Sequence, residues 1–133
     1  MIATDTNLVF VYGNLRRGLP NHSWLAGSRL LLGMHRTAPH FTMRDLGSFP
    51  AVVCAGDTAI VGEVYAIQPR ILQELDELTG FPQLYKRLRM ATPWGWAWIY
   101  LLPAHAAADA PLVPHGDWVL WLEQRGDCGL GVY

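Results

Sequence analysis

The stretch Thr58-Ala59-Ile60-Val61-Gly62-Glu63-Val64-Tyr65-Ala66-Ile67-Gln68-Pro69-Arg70-Ile71-Leu72-Gln73-Glu74-Leu75-Asp76-Glu77-Leu78-Thr79-Gly80-Phe81-Pro82 sets two elements end to end. Thr58–Ile67 reads as a long strand whose two faces are both largely apolar, the pattern of a strand inside a barrel or under a helix. Pro69–Thr79 reads as a helix, because Pro69 suits the first turn, Gly80 suits the C-terminal cap and Pro82 forbids continuation. At about 100° per residue, Ile71, Leu72, Leu75 and Leu78 form its apolar face. Thr79 falls inside that arc, whereas Glu77 lies roughly 160° away from Thr79 and faces outward.

Outward from this centre, short strands dominate. Asn7–Tyr12 is a β-branched and aromatic run stopped by Gly13-Asn14. Asn21 can cap a single helical turn through Ala26, and Ser28–Thr37 is a leucine-dense strand candidate. Phe41–Met43 and Ala51–Cys54 read as short strands separated by the turn-forming segment Asp45–Pro50. Leu84–Ala91 and Trp94–Leu102 predict a hairpin closed near Thr92-Pro93, with Trp94, Trp96 and Trp98 on one face, covering the core or the rim of a pocket. Pro103–Pro114 is a surface loop by composition, and Asp117–Leu122 ends the ordered chain. The expected class is α+β: a small mixed β-barrel of short strands with one or two helices, as a single domain over residues 1–133.

Composition narrows the partners. Charged residues are 16% and hydrophobic ones 51%, which predicts a compact chain rather than disorder. A formal charge of -1 offers no footprint for nucleic acid or an anionic membrane, so a small, weakly charged partner is expected. The N-terminus has no cationic region before its short apolar run, and no apolar run approaches the roughly 20 residues that span a bilayer, so a cytoplasmic location is expected. Cys54 and Cys128 belong to no CxxC pair and read as buried thiols in a reducing compartment, a disulfide between them being the alternative. The five histidines lack HxH or HxxxH spacing, so neither a metal nor a cofactor is expected. Ser23 and Ser48 stand in no GxSxG elbow, and no cysteine has a histidine signature, which leaves nucleophilic catalysis unsupported.

Three segments stand in a telling order: Val11-Tyr12-Gly13-Asn14-Leu15-Arg16-Arg17-Gly18 with Asn21 close behind, Leu75-Asp76-Glu77-Leu78-Thr79-Gly80-Phe81-Pro82 with Tyr85 and Arg87, and Gly116-Asp117-Trp118. They resemble the gamma-glutamylcyclotransferase-like family, which includes gamma-glutamylamine cyclotransferases and avirulence-induced-gene-like proteins and carries a YGxLxxGxxN loop and an LDxxEGxPxxYxR segment. Phe49-Pro50-Ala51, Gly62-Glu63-Val64-Tyr65 and Ala97-Trp98-Ile99-Tyr100 look like its intervening strands, so the resemblance runs from about Leu8 to about Trp118. It implies that a small γ-glutamyl compound is the partner and that Tyr12, Gly13, Asn14, Leu15 and Tyr85 bind it. It also implies a reaction in which the α-amino group of the γ-glutamyl compound attacks its own γ-carbonyl, releasing an amine and 5-oxoproline.

Physical chemistry supports the loop and questions the base. A turn at Gly13-Asn14 directly after a strand can present successive backbone N–H groups to a carboxylate or an oxyanion, although Gly13 and Gly18 also suit plain tight turns. An α-ammonium has a reference pKa of about 7.7–8.0, so the reaction needs a base, and the family uses the glutamate before the glycine of LDxxEG. Here that position is Thr79, whose hydroxyl can hold an ammonium but cannot deprotonate it. Glu63, in mid-strand among apolar residues, is the reserve candidate; it must be paired or hard to ionise, and a partner across the sheet is expected in Arg87 or Arg89. Asp76 reads as a helix-surface or capping carboxylate, and Arg16 and Arg17 are expected to be exposed. Three functions remain open: an enzyme with a relocated base, an inactive binding or regulatory module of the same fold, or a related enzyme in which a threonine serves a different reaction on that scaffold.

Overall fold

The computed structural model describes residues 7–126. Strands β1 (Asn7–Val11), β2 (Arg29–Arg36), β5 (Val61–Ile67), β6 (Lys86–Thr92) and β7 (Gly95–Leu101) form one sheet in the order β2-β5-β1-β7-β6, and β3 (Phe41–Asp45) pairs with β4 (Pro50–Thr58) as a separate ribbon. Neighbours run antiparallel except β1 and β7, which are parallel. The class is α+β with a mixed sheet, as expected, but the sheet is not closed: β2 and β6 are its edges. Strands apolar on both faces suit either a closed barrel or an open sheet covered on both sides, and here the second arrangement holds.

Alternation along β1 makes the two layers. Val9 and Val11 point into one core with Tyr65, Ile67, Tyr85 and Tyr100, which helix α1 (Pro69–Thr79) closes with Ile71 and Leu75. Phe10 and Tyr12 point into the other, with Met43 and Val52 of the ribbon, Val64, Ile99 and the fully buried Trp118. Trp118 opens helix α2 (Trp118–Arg125), whose N-terminus is capped by the Asp117 carboxylate accepting from Leu120 N–H at 3.2 Å. Helix α1 ends as its punctuation dictates: Gly80 takes φ 73°, the left-handed region, and Phe81 N–H donates to Asp76 O at 2.9 Å.

Several local expectations are corrected. The predicted strand Thr58–Ile67 is split, Thr58 closing β4 and Val61 opening β5, because the backbone of Ile60 pairs with Thr37: its N–H donates to Thr37 Oγ1 and its carbonyl accepts from Thr37 N–H, both at 2.9 Å. Only two of the tryptophans share a face: Trp96 and Trp98 are two apart on the regular β6–β7 ladder, whereas Trp94 packs with the opposite layer. Trp94 sits at the hairpin turn, edge-on to His35; Trp96 is 62% exposed; Trp98 lies under the guanidinium groups of Arg87 and Arg89. Cys54 is exposed on β4 rather than buried, and Cys128 falls outside the described residues. Among the described residues no helix is long and apolar enough to cross a membrane.

Asp45 at the end of β3 ties α2 to the ribbon. Burial by itself would raise its carboxyl, but hydrogen bonds from Trp121 Nε1 (2.8 Å), Arg125 Nη1 (2.8 Å) and Gly47 N–H (2.6 Å), together with the Arg125 charge, hold it below the ordinary carboxylate range. A carboxyl depressed on folding contributes stability that is full above its unfolded value of about 3.9 and is lost as pH falls through the folded value. Asp45→Asn is therefore expected to be less stable than wild type at pH 7, with the gap closing toward pH 3. Urea midpoints at the two pH values measure this, and a gap of equal size at both would refute it.

Candidate functional site

Strand β1 runs straight into the site. Its last residues and the turn that follows supply Phe10, Val11, Tyr12, Gly13, Asn14 and Leu15 to one wall of a cavity of about 440 Å³. The end of α1 adds Leu78 and Thr79, the β3–β4 turn adds Ser48, Phe49 and Pro50, and Leu84, Tyr85, Tyr100 and Asn21 complete the lining. Tyr12, Gly13, Asn14, Leu15, Thr79 and Tyr85 are thus brought together, while Glu63 is not among the lining residues.

Gly13 is required by close approach. A Cβ there would lie 3.0 Å from both Cγ and Cδ of Pro50, so a side chain would push the loop off the ribbon. The loop is braced on itself by Arg16 N–H to Gly13 O (3.0 Å) and Asn21 N–H to Asn14 O (3.0 Å). Asn14 clamps it to the rest of the molecule, donating from Nδ2 to Ser48 O at 2.7 Å and accepting at Oδ1 from Trp118 Nε1 at 3.0 Å. Among the described residues the N–H groups of Gly13, Asn14 and Leu15 donate to no protein acceptor.

Thr79 is half-buried, and its hydroxyl is engaged by its own helix, donating to Leu75 O at 2.9 Å with Asp76 O at 3.3 Å. Tyr85 Oη donates to Pro50 O at 3.3 Å; burial pushes this phenol up to about 12. Tyr12 is raised well above the usual tyrosine range, first by burial and then by its neighbour Tyr85. Both phenols stay protonated at neutral pH.

Glu63 works behind the loop. Its Oε1 accepts from Arg17 N–H and from Tyr65 Oη, each at 2.9 Å, and its Oε2 lies 3.6 Å from Arg16 Nε. The expected partners Arg87 and Arg89 are elsewhere. Arg87 grips Asp76 through Nε–Oδ1 (2.8 Å) and Nη2–Oδ2 (3.1 Å), so Asp76 is a paired carboxylate rather than a free surface one. Arg16, expected to be exposed, is 3% exposed: its Nη1 donates to Asp117 Oδ1 at 2.7 Å, and the guanidinium bridges Glu63 and Asp117. Arg17 is exposed as expected. Sequence spacing carries no signal for the Arg16 bridge, whose partners lie on β5 and at the N-cap of α2.

An apolar cavity with a backbone loop on one wall and a helix end on another has the form of a small-molecule pocket in an α+β domain. The chain belongs to the gamma-glutamyl cyclotransferase, AIG2-like family, whose pattern matches residues 9–120. It is 41% identical over 112 residues to a Vibrio cholerae protein assigned as a gamma-glutamylcyclotransferase, with 84% of this chain and 95% of that one covered. It is also 38% identical over 93 residues to human gamma-glutamylaminecyclotransferase, with 60% of this chain and 58% of that one covered. The solution structure of Escherichia coli protein ytfP superposes with a TM-score of 0.68 at 34% identity, covering 84% of this chain and 96% of that one.

Proposed function

We propose that the protein binds a γ-glutamyl amine or peptide in this cavity, with the γ-glutamyl group held between the Gly13 loop and the end of α1, and that it turns such ligands over slowly or not at all. The name of the human relative supports the ligand class. The unclaimed N–H groups of Gly13, Asn14 and Leu15 supply donors suited to a carboxylate or a polarised carbonyl.

One observation carries the reading on turnover: no Asp or Glu is among the described residues lining the cavity. Cyclisation to 5-oxoproline needs the α-ammonium to lose a proton before the amine attacks the γ-carbonyl, and at pH 7 only about a tenth of such groups are free base. Thr79 offers a hydroxyl already turned to its helix, and Glu63 is bound by two donors and a guanidinium behind the loop. Neither can take that proton from a ligand in the cavity.

Calorimetry with a panel of γ-glutamyl amines and peptides, run beside an assay for 5-oxoproline, tests both halves. Measurable binding with absent or very weak release is expected. Failure of every γ-glutamyl compound to bind would end the ligand assignment, and fast release would mean that another group serves as base.

A further inference from the structure

The cavity carries three phenols, and each has already committed its one hydrogen. Tyr12 Oη donates to Tyr100 O at 2.5 Å, Tyr85 Oη to Pro50 O at 3.3 Å, and Tyr100 Oη to Asp76 Oδ1 at 2.7 Å. A phenol in this condition offers a ligand only lone pairs. Tyr100 differs from the other two because its acceptor is a carboxylate. A hydrogen bond to a carboxylate is charge-assisted and draws the phenolic hydrogen away, leaving the oxygen a stronger acceptor.

The chain behind Tyr100 is anchored. Asp76 does not line the cavity and is held in the fork of Arg87, whose guanidinium lies between two aromatic rings, 4.5 Å from the Phe81 centroid and 4.2 Å from that of Trp98. Burial, with Asp76 beside it, raises Tyr100 above the ordinary phenol range, so it keeps its hydrogen at any physiological pH. The Gly13 loop supplies donors to the cavity and the tyrosines supply acceptors. A ligand with an anionic or carbonyl oxygen at one point and a cationic N–H donor at another matches that division.

We propose that Tyr100, oriented and polarised by Asp76, is the specificity-determining acceptor that selects ligands carrying an α-ammonium group. The inference rests on the γ-glutamyl reading and adds to it the residue that recognises the amine end. Asp76 and Arg87 act through Tyr100 and are positioning residues.

The probes are γ-glutamyl methylamide and its counterpart without the amino group, N-methylglutaramate, titrated into the full chain. Wild type is expected to prefer the amino compound roughly 10–100-fold, the range for a hydrogen bond to a charged group. Tyr100→Phe should bring the two within about threefold of each other. A structural link between α1 and β7 would not move that ratio. On wild type alone, raising pH through the ligand's ammonium range, about 8 and above, should erase the preference. The charged groups facing Tyr100 are Asp76 and Arg87, and the titratable residues lining the cavity, Tyr12, Tyr85 and Tyr100, are all raised above the ordinary tyrosine range. Should Tyr100→Phe fail to fold, Asp76→Asn replaces it and must lower the preference. Equal binding of both probes by wild type overturns the inference and leaves the γ-glutamyl reading standing; a preference undiminished in the variants, or insensitive to pH, overturns it too. If neither probe binds, both readings fall.

Discussion

Thr79→Glu is expected to raise 5-oxoproline release from γ-glutamyl amines by about 10²–10⁴-fold over wild type, the usual worth of general-base assistance. Position 79 lies on the cavity wall at the last residue of α1, next to the glycine that ends the helix, and the motif resemblance implies the base at this position. In wild type the side chain there turns its hydroxyl to Leu75 O and Asp76 O, leaving nothing basic toward a ligand. A glutamate is too long to fold back in the same way and would extend into the cavity beside Tyr12 and Tyr85. The substitution has a cost. A half-buried carboxylate without a partner is unfavourable, and a negative charge in the last turn opposes the helix dipole by about 0.3–1 kcal/mol. Activity and thermal unfolding are therefore to be measured together: a gain in release with a modest loss of stability is the expected pair. No gain in a variant that remains folded and still binds ligand would show that the rest of the site is not arranged for cyclisation.

The parts of this molecule that were legible in its sequence are those decided by local rules. Helix α1 follows from Pro69 at its start, Gly80 at its end and the Ile71–Leu75 stripe between, because each of these acts within a few residues of itself. The cavity wall was legible as well, since a strand read as Asn7–Tyr12, which the structure ends at Val11, a Gly-Asn turn and an inward Thr79 each follow from local pattern, and the fold brings them to one cavity. What could not be read was pairing across distance. Glu63 was correctly expected to be paired, but the choice among arginines depended on strand order, and the partner proved to be Arg16 rather than Arg87 or Arg89. Tyr100 was missed for the same reason: its distinction comes from Asp76, on a different element, and a tyrosine in an apolar strand carries no local sign of it.

That missed pairing leads to a second large effect, in stability. Arg16→Met is expected to destabilise the protein by about 3 kcal/mol or more, because removing one member of a buried ion pair strands the other. Arg16 and Glu63 side chains are 4% and 8% exposed, and the same guanidinium also holds Asp117, the N-cap of α2. Without it, Glu63 keeps the Arg17 N–H and the Tyr65 hydroxyl but loses its counter-charge, so the cost belongs at the lower end of the usual range of about 3–5 kcal/mol for breaking such a pair. Methionine matches much of the arginine stem, so the loss reads out charge more than volume. Arg16→Lys should be milder, keeping the charge but unable to span both carboxylates in a fixed fork. A double variant separates charge from packing: if a stranded Glu63 is the main penalty, adding Glu63→Gln to Arg16→Met should recover part of the loss, giving a total clearly smaller than the sum of the two single changes. Urea denaturation of the four proteins measures this. A loss below about 0.5 kcal/mol for Arg16→Met, or strict additivity in the double variant, would show that Arg16 and Glu63 do not depend on one another. The Gly13 loop then has to be held by its own turns and by the Asn14 clamp alone.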